Sequence, residues 1–379
     1  MPIYRMKGIK DGKQKYRVRI NYTDSSGENK QMERVAYGKE EAKELERELQ
    51  YQIKKAPVST QKTVRKLYDE YIKASSGRLR ESSLQKAKSN LKAHVLPTLG
   101  SVKLNKLKPA LLQKWKNEME EKETAKGEKL SLTTKQNIFQ YFNAMLNFAI
   151  TMEYIPDNPL KKIGNFKSST EPKKEMDYYI PEEYKKYAAA ALRMAQNDKT
   201  NRIYNFYTFF SIAFYTGLRK GEINALKWSD INGNYLTVSR SISQKLKGAD
   251  RETPPKNKSS HRTLQIPEPL MNILDEQKER QKQFDNFSDD FRVCGGIDPL
   301  RDTSIDQANR TIANAAGVKR IRVHDFRHSH ASLLANNGIN IQEIARRLGH
   351  SDVQITWNTY AHLYPKEEER AIAILNKIS

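Results

Sequence analysis

The stretch "LGHSDVQITWNTYAH", residues 348–362, sets the terms of the reading. It places His350 after a glycine, Tyr360 ten positions later and His362 close behind. Taken alone, Tyr360 reads as a packed aromatic, and Tyr364 is its nearest rival. Two further stretches carry the same mixture of residue types. "TGLRKGEINALKW" (Thr216–Trp228) sets Gly217 at a helix break, Arg219 at the turn and Glu222 just after it. "VHDFRHSHAS" (Val323–Ser332) holds His324 and Arg327 three apart, which on a helix puts both on one face. Five of the seven histidines fall between His324 and His362.

These types suit a phosphodiester in transfer. Two arginines clamp its non-bridging oxygens through charge-assisted, bidentate hydrogen bonds. A tyrosine attacks phosphorus and forms a covalent intermediate, and histidines move protons near neutral pH. Arginines aimed at developing charge supply what a metal would otherwise supply. No acidic cluster suited to Mg²⁺ stands in the sequence, so neither metal nor cofactor is expected. The bland readings are a helix-end salt bridge for Arg219 with Glu222, and a helical zinc pair for His324 and His328. His261, His330 and His362 read as surface or supporting residues.

Composition points the same way. The 379 residues are enough for two or three domains. Lys and Arg number 67 against 45 acidic residues, giving a net charge of +22 and a partner that is a polyanion. A membrane is the weaker candidate, because the most apolar run, "FYTFFSIAFYTGL" (Phe206–Leu218), is too short to span one and reads as a buried helix. "MPIYRMKGIKDGKQ" lacks the apolar core of a secretory signal. Cys294 is the single cysteine, so no internal disulfide is expected and a reducing cytoplasm fits.

Along the chain, residues 1–56 read as a small α+β module. Tyr16, Val18, Ile20 and Tyr22 alternate with Arg17, Arg19 and Asn21, which is a strand. Asp11-Gly12 and "DSSG" (Asp24–Gly27) are the turns, Gln31–Tyr37 returns as a strand, and Gly38–Lys55 is helical. Lys15, Arg17, Arg19 and Arg34 are candidate DNA contacts on a basic sheet, with a solvated face as the alternative. Residues 63–160 predict an all-α domain: a helix at Leu67–Ile72, a second that Pro97 ends, a third over Lys108–Met119 and a long one over Ser131–Ile155 with Ser131 as N-cap. Residues 161–176 read as a linker. Residues 177–379 form the largest unit, mainly α with a small sheet. Its predicted helices are Pro181–Ala195, Ile203–Thr216, Pro269–Gln283, Ser304–Ala315, Asp325–Asn336, Ile341–Leu348 and Ile355–Tyr360, its strands Tyr235–Ile242 and His261–Ile266, and its tail helix Lys366–Ile378.

The blocks "TGLRKGEI", "HDFRHSHAS" and "LGHSDVQITWNTYAH", in this order, resemble the three signature blocks of the tyrosine recombinases, the family of lambda-type phage integrases and of integrases of integrative conjugative elements. The resemblance covers residues 177–365 at motif level. The 63–160 segment resembles the family's core-DNA-binding domain, and 1–56 its arm-site-binding domain. The resemblance implies catalytic roles for Arg219, His324, Arg327, His350 and the nucleophile Tyr360, with Glu222 in support. It also implies a lysine on a β-hairpin; "TPPKNKSSHRTLQIP" matches that hairpin, with Lys256 the best match and Lys258 its rival. The implied activity is integration and excision of a mobile element by strand exchange through a 3′-phosphotyrosyl ester, without metal or ATP. Implied partners are double-stranded att sites of core and arm type and further copies of the chain, as a tetramer in the synapse. An excision factor or a host DNA-bending protein and a nucleoid-associated, cytoplasmic location complete the expectation. A type IB topoisomerase and a silent architectural DNA-binding protein are the competing readings, and the tail helix is open to docking in cis or on a neighbour.

Overall fold

The computed structural model describes residues 3–23, 29–55, 62–124, 127–167, 176–198, 200, 202–243, 252–253, 260–364, 372 and 375–376. The chain divides into two compact units, Met1–Pro172 and Lys173–Ser379. It is multidomain, with a small α+β module first, helices next and a mainly-α unit with small sheets last, as the patterning predicts.

The first unit begins with β1 (Ile3–Lys10), β2 (Lys13–Thr23) and β3 (Asn29–Tyr37), an antiparallel sheet in the order β1-β2-β3, followed by α1 (Lys39–Lys55). Asp11 and Gly12 both take positive φ, as a two-residue hairpin of this hand requires. Val18, Ala36, Ala42 and Leu49 form a small core, with Tyr16, Ile20 and Leu45 packed against it. That core uses one side of the sheet, so the alternate residues of β2 face away from it.

A larger core lies in the helical part of the same unit: α2 (Val64–Ser75), α3 (Glu81–His94), α4 (Leu96–Leu99), α5 (Pro109–Glu121), α6 (Leu132–Thr151) and α7 (Leu160–Ile163). Ser131 caps α6, its hydroxyl accepting from the Thr134 amide at 3.2 Å. Three expectations shift here. Pro97 does not simply end a helix but sits in the first turn of α4, where its missing N–H costs nothing. The long helix stops at Thr151, four residues before Ile155. The first part of the expected linker is packed: Phe166 is buried, and Lys116 Nζ donates to the carbonyls of Ile163, Gly164 and Asn165 at 3.1–3.3 Å.

The second unit runs α8 (Pro181–Gln196), α9 (Arg202–Thr216), α10 (Lys220–Ala225), β4 (Ile231–Asn232), β5 (Tyr235–Val238), β6 (Ser241–Ile242), β7 (Glu252–Thr253), β8 (Arg262–Gln265), α11 (Glu268–Lys282), α12 (Asp302–Ala316), α13 (Asp325–Asn336), α14 (Ile341–Leu348) and α15 (Val353–Tyr360). Helix α9 is buried on nearly every side, the expected fate of the apolar run. Rings of Tyr179, Tyr187, Phe210 and Phe326 meet edge-on or tilted at its centre. The single strand expected over Tyr235–Ile242 is two: β5 pairs with β4 and β8, whereas β6 pairs with β7. The expected tail helix lies outside the described residues except Ile372, Leu375 and Asn376. No helix among the described residues is long and apolar enough to cross a membrane.

Candidate active site

Three backbone breaks in the second unit bring the unusual residues together. Gly217 ends α9 at φ +67, and a Cβ there would come within 2.8 Å of the His330 ring and 2.9 Å of Leu348. Only glycine fits both the conformation and the space. Its carbonyl accepts from Arg327 Nη1 at 2.8 Å, so the break also orients the arginine. Gly349 closes α14 in the left-handed region, which turns the chain so that His350 faces Arg327. The third break starts α10, where Arg219 is the N-cap and Glu222 accepts from the Arg219 amide at 2.9 Å.

Glu222 joins two arginines. Its Oε1 accepts from Arg219 Nη1 at 2.9 Å and its Oε2 from Arg262 Nη2 at 2.9 Å. Arg262 also donates to the carbonyls of Arg347 at 2.7 Å and Ser260 at 3.1 Å, so each of its three nitrogens has a partner although it is buried. Burial pushes the Glu222 carboxyl upward, but the hydrogen bonds and charge of Arg262, then Arg219, outweigh it and hold the group below its ordinary range.

Arg327, on α13, is 3% exposed. Its Nη2 donates to the Leu348 carbonyl at 2.6 Å and meets His350 Nε2 at 2.9 Å. Burial, reinforced by repulsion from Arg219, lowers it to about 9, still charged at neutral pH. A guanidinium can only donate, so His350 Nε2 accepts. The ring proton is then on Nδ1 and points to Thr356 Oγ1 at 2.7 Å. Burial, then Arg327 and Arg219, pull His350 down to about 4, which keeps it neutral. Arg219 is the most open member, its side chain 38% exposed.

Tyr360 ends α15. Its ring belongs to a satellite core with Ala331, Ala335, Ile344 and Leu348, yet its hydroxyl meets His328 Nδ1 at 2.6 Å. Burial pushes the phenol well above its usual range, while Arg327 pulls the other way. The rival Tyr364 spends its hydroxyl on the Ile339 carbonyl at 2.6 Å. His324 caps α13, exposed, with its ring 5.0 Å from that of His328.

Thus Arg219, Glu222, Arg327 and His350 are joined by hydrogen bonds directly or through the Gly217 and Gly349 carbonyls, and Tyr360 is adjacent through α13. Lys256 and Lys258 lie outside the described residues. Of the two readings open for His330, surface or supporting, the structure removes the first: it is buried, its Nδ1 against the Phe214 carbonyl at 2.9 Å, because α13 packs that face onto α9. Arg262, His328 and Thr356 were missed as site residues. Arg262 carried a signal, since it falls on the inward phase of β8 with Leu264. No group of three potential metal ligands occurs among the described residues.

The four candidate DNA contacts of the sheet do not share a face. Arg17 pairs with Val35, Arg19 with Glu33 and Lys15 with Tyr37, so these stand on the open side. Arg34 pairs with Val18, which is buried in the core beside α1, and therefore stands on the opposite side. Glu33 bridges Arg17 at 3.2 Å and Arg19 at 3.0 Å.

Arg219, Arg327 and His350 thus gather in the unit that also holds the Tyr360 hydroxyl, and sequence comparison says which family carries this set. The profile of the phage integrase family matches residues 183–367, and that of the phage integrase N-terminal SAM-like domain matches residues 63–119. The chain belongs to this family, the tyrosine recombinases: it is a site-specific DNA recombinase of the type that integrates and excises mobile elements. It is 28% identical over 373 residues to the ICEBs1 integrase of Bacillus subtilis (strain 168), covering 96% of this chain and 97% of that one. The solved Tn1549 transposon integrase in complex with a circular intermediate DNA shares the fold, with a TM-score of 0.65 at 21% identity over 84% of this chain and 99% of that one. A lambda integrase tetramer bound to a Holliday junction superposes with a TM-score of 0.57 at 17% identity, covering 95% and 94%.

Proposed function

We propose that Tyr360 is the nucleophile of the strand exchange. Its phenol oxygen attacks the scissile phosphate and displaces the 5′-oxygen, leaving a 3′-phosphotyrosyl ester. Arg219 and Arg327 hold the non-bridging oxygens. Glu222, with Arg262 behind it, fixes the angle of Arg219. His350 is neutral and accepts from Arg327 at rest, so it becomes a donor to phosphate only on taking up a proton there. Lys256 protonates the leaving 5′-oxygen, with Lys258 as its rival, and His324 assists proton transfer at the exposed end of α13. The ester conserves the bond energy, so a 5′-hydroxyl from a second duplex reseals the strand without ATP.

The observation that carries this reading is the single hydrogen-bonded cluster of Arg219, Glu222, Arg327 and His350 next to the Tyr360 hydroxyl of the same chain. It supports delivery of Tyr360 in cis. The proposed division of labour assigns 1–56 to arm-type sites, 63–160 to core-type sites, 161–176 to the connection and 177–379 to catalysis and, through its tail, to assembly. Lys15, Arg17 and Arg19 contact arm DNA, while Arg34 adds charge from the other face. The relatives bound to circular intermediate DNA and to a Holliday junction support double-stranded att DNA as substrate and a tetramer in the synapse. An accessory excision factor or host bending protein, and a nucleoid-associated place in the cytoplasm, belong to the same proposal.

The test is a nicked suicide duplex built on the direct repeats that flank the element. Covalent trapping of the chain together with strand transfer to a second duplex is the expected result. Relaxation of a supercoiled plasmid without strand transfer would make it a topoisomerase, and binding without trapping would make it architectural.

A further inference from the structure

The proton on the Tyr360 hydroxyl must leave as the P–O bond forms, and one acceptor for it stands among the described residues. Among the described residues, the only hydrogen bond of the Tyr360 hydroxyl is to His328 Nδ1, at 2.6 Å. If Nδ1 carried a proton, it would donate to the phenol oxygen, and the phenol proton would have no acceptor. The pairing that satisfies both groups has the phenol donating and Nδ1 accepting. His324 sits one turn earlier on α13, with its ring edge-on to His328 at 5.0 Å, exposed toward solvent.

We infer that His328, rather than His324, takes the phenol proton when Tyr360 attacks phosphorus. This rests on the reading of Tyr360 as nucleophile. In the forward step the Tyr360 O–H bond breaks and its proton passes to His328 Nδ1. The freed oxygen pair forms the bond to phosphorus, and the P–O5′ bond breaks with a proton delivered to O5′ by the hairpin lysine. In the resealing step a 5′-hydroxyl attacks and gives its proton to the hairpin lysine that lost one in cleavage, the phosphotyrosyl bond breaks and His328 returns its proton to the departing phenolate. Atoms and charge balance in both directions, and no co-reactant is needed.

The surroundings make the transfer conditional on DNA. Burial, then His324, then Arg327 hold His328 down to about 4, while Asp325 opposes them, so it rests neutral with its lone pair free. The phenol is pushed the other way by burial, so the proton stays on Tyr360 at rest. A phosphate seated on Arg219 and Arg327 cancels part of the positive field on His328 and adds negative charge beside it. Both effects raise its basicity as the substrate arrives.

The test uses the full chain, single-turnover cleavage and two forms of the nicked duplex, one with an ordinary scissile phosphate and one with sulfur in place of the bridging 5′-oxygen. A thiolate leaves without a proton, so the sulfur substrate rescues loss of a general acid but not loss of a base acting on the nucleophile. His328→Asn keeps an acceptor for the phenol hydrogen bond but cannot carry the proton away. Cleavage should fall about 10²–10⁴-fold on both substrates with DNA binding intact, whereas the Lys256→Ala defect should shrink on sulfur. His328→Gln should behave as His328→Asn does. The inference is overturned if His328→Asn cleaves within threefold of the parent, if its defect disappears on the sulfur substrate, or if both variants lose DNA binding and thereby show a structural role. Tyr360→Phe, run alongside, reports separately on the nucleophile: covalent DNA on that variant would sink the underlying reading whatever His328 does.

Discussion

On the open face of the N-terminal sheet Arg17 and Arg19 share Glu33; in the catalytic unit Arg219 and Arg262 share Glu222. The residue types are the same and the surroundings are not. Glu33 and its partners are between 32% and 40% exposed, whereas Glu222 and Arg262 are at 5% and 4%. In water such a pair contributes about 0–1 kcal/mol and lets go readily. Once buried, neither partner can be removed without leaving a charge that the interior does not solvate. The exposed arginines of the sheet are therefore free to re-aim, while buried hydrogen bonds hold Arg262 and, through Glu222, the guanidinium of Arg219 at set angles. Under the proposed mechanism, donors held in this way need no reorganisation in the transition state.

The largest break in that comparison is Glu222→Ala. It strands Arg262 in the core and should cost about 3–5 kcal/mol of stability, read as a lower denaturation midpoint of the second unit. Glu33→Ala should leave the midpoint within about 1 kcal/mol of the parent. Equal losses would mean that burial does not distinguish the two sites.

Next comes Arg327→Ala, which removes one preorganised donor set. Cleavage at saturating DNA should drop about 10²–10³-fold, or roughly 2.7–4 kcal/mol. A normal rate would take Arg327 out of the phosphate clamp.

A third effect separates the buried cluster from the sheet by pH. Burial holds His330 at about 3, against 6.5 for the free side chain. Below about 6.5 the unfolded chain takes up a proton that the native chain refuses, so native stability falls as pH drops toward 3. The slope from His330 alone is up to about 1.4 kcal/mol per pH unit. Denaturant midpoints at pH 7.5 and 5.5 should show the loss, and His330→Gln should flatten it. An unchanged slope in that variant would place the acid sensitivity elsewhere.

The smallest effect concerns the sheet. Arg17→Ala should lower the slope of log affinity for arm-type DNA against log salt by about one, with little change in stability. Arg34→Ala, on the opposite face, should change that slope by much less. Equal effects would show that both faces of the sheet meet DNA.

Most of the fold was legible because its elements carry strong local signals. The bounds of α13 and α14 agree to the residue, since apolar spacing, Asn340 at a cap and glycine at a stop act in concert. The cut between β5 and β6 was not legible, because Ser239 and Arg240 carry no turn signal and the break depends on which strands pair. Arg34 shows the same limit. Parity along one strand is readable, but parity across strands is set by register, and a reading by charge groups Arg34 with the wrong face.

Block order singles out Arg219, Arg327, His350 and Tyr360; hydrogen bonds link the first three directly or through the Gly217 and Gly349 carbonyls, and the Tyr360 hydroxyl meets His328 on the same helix as Arg327. Arg262 was overlooked although an arginine in phase with Leu264 is an anomaly that needs a buried partner. His328 could be placed beside His324 by helical spacing, but its contact with Tyr360 spans 32 residues and depends on how α15 packs on α13.

In the proposed mechanism Tyr360, and no other residue, forms the bond to DNA. Full-length protein trapped on the suicide duplex, digested and sequenced by mass spectrometry, should carry its nucleotide adduct on the peptide containing Tyr360, and Tyr360→Phe should yield no adduct while still binding the duplex. An adduct on Tyr364 or on any other side chain, or an adduct that persists in Tyr360→Phe, would contradict the account.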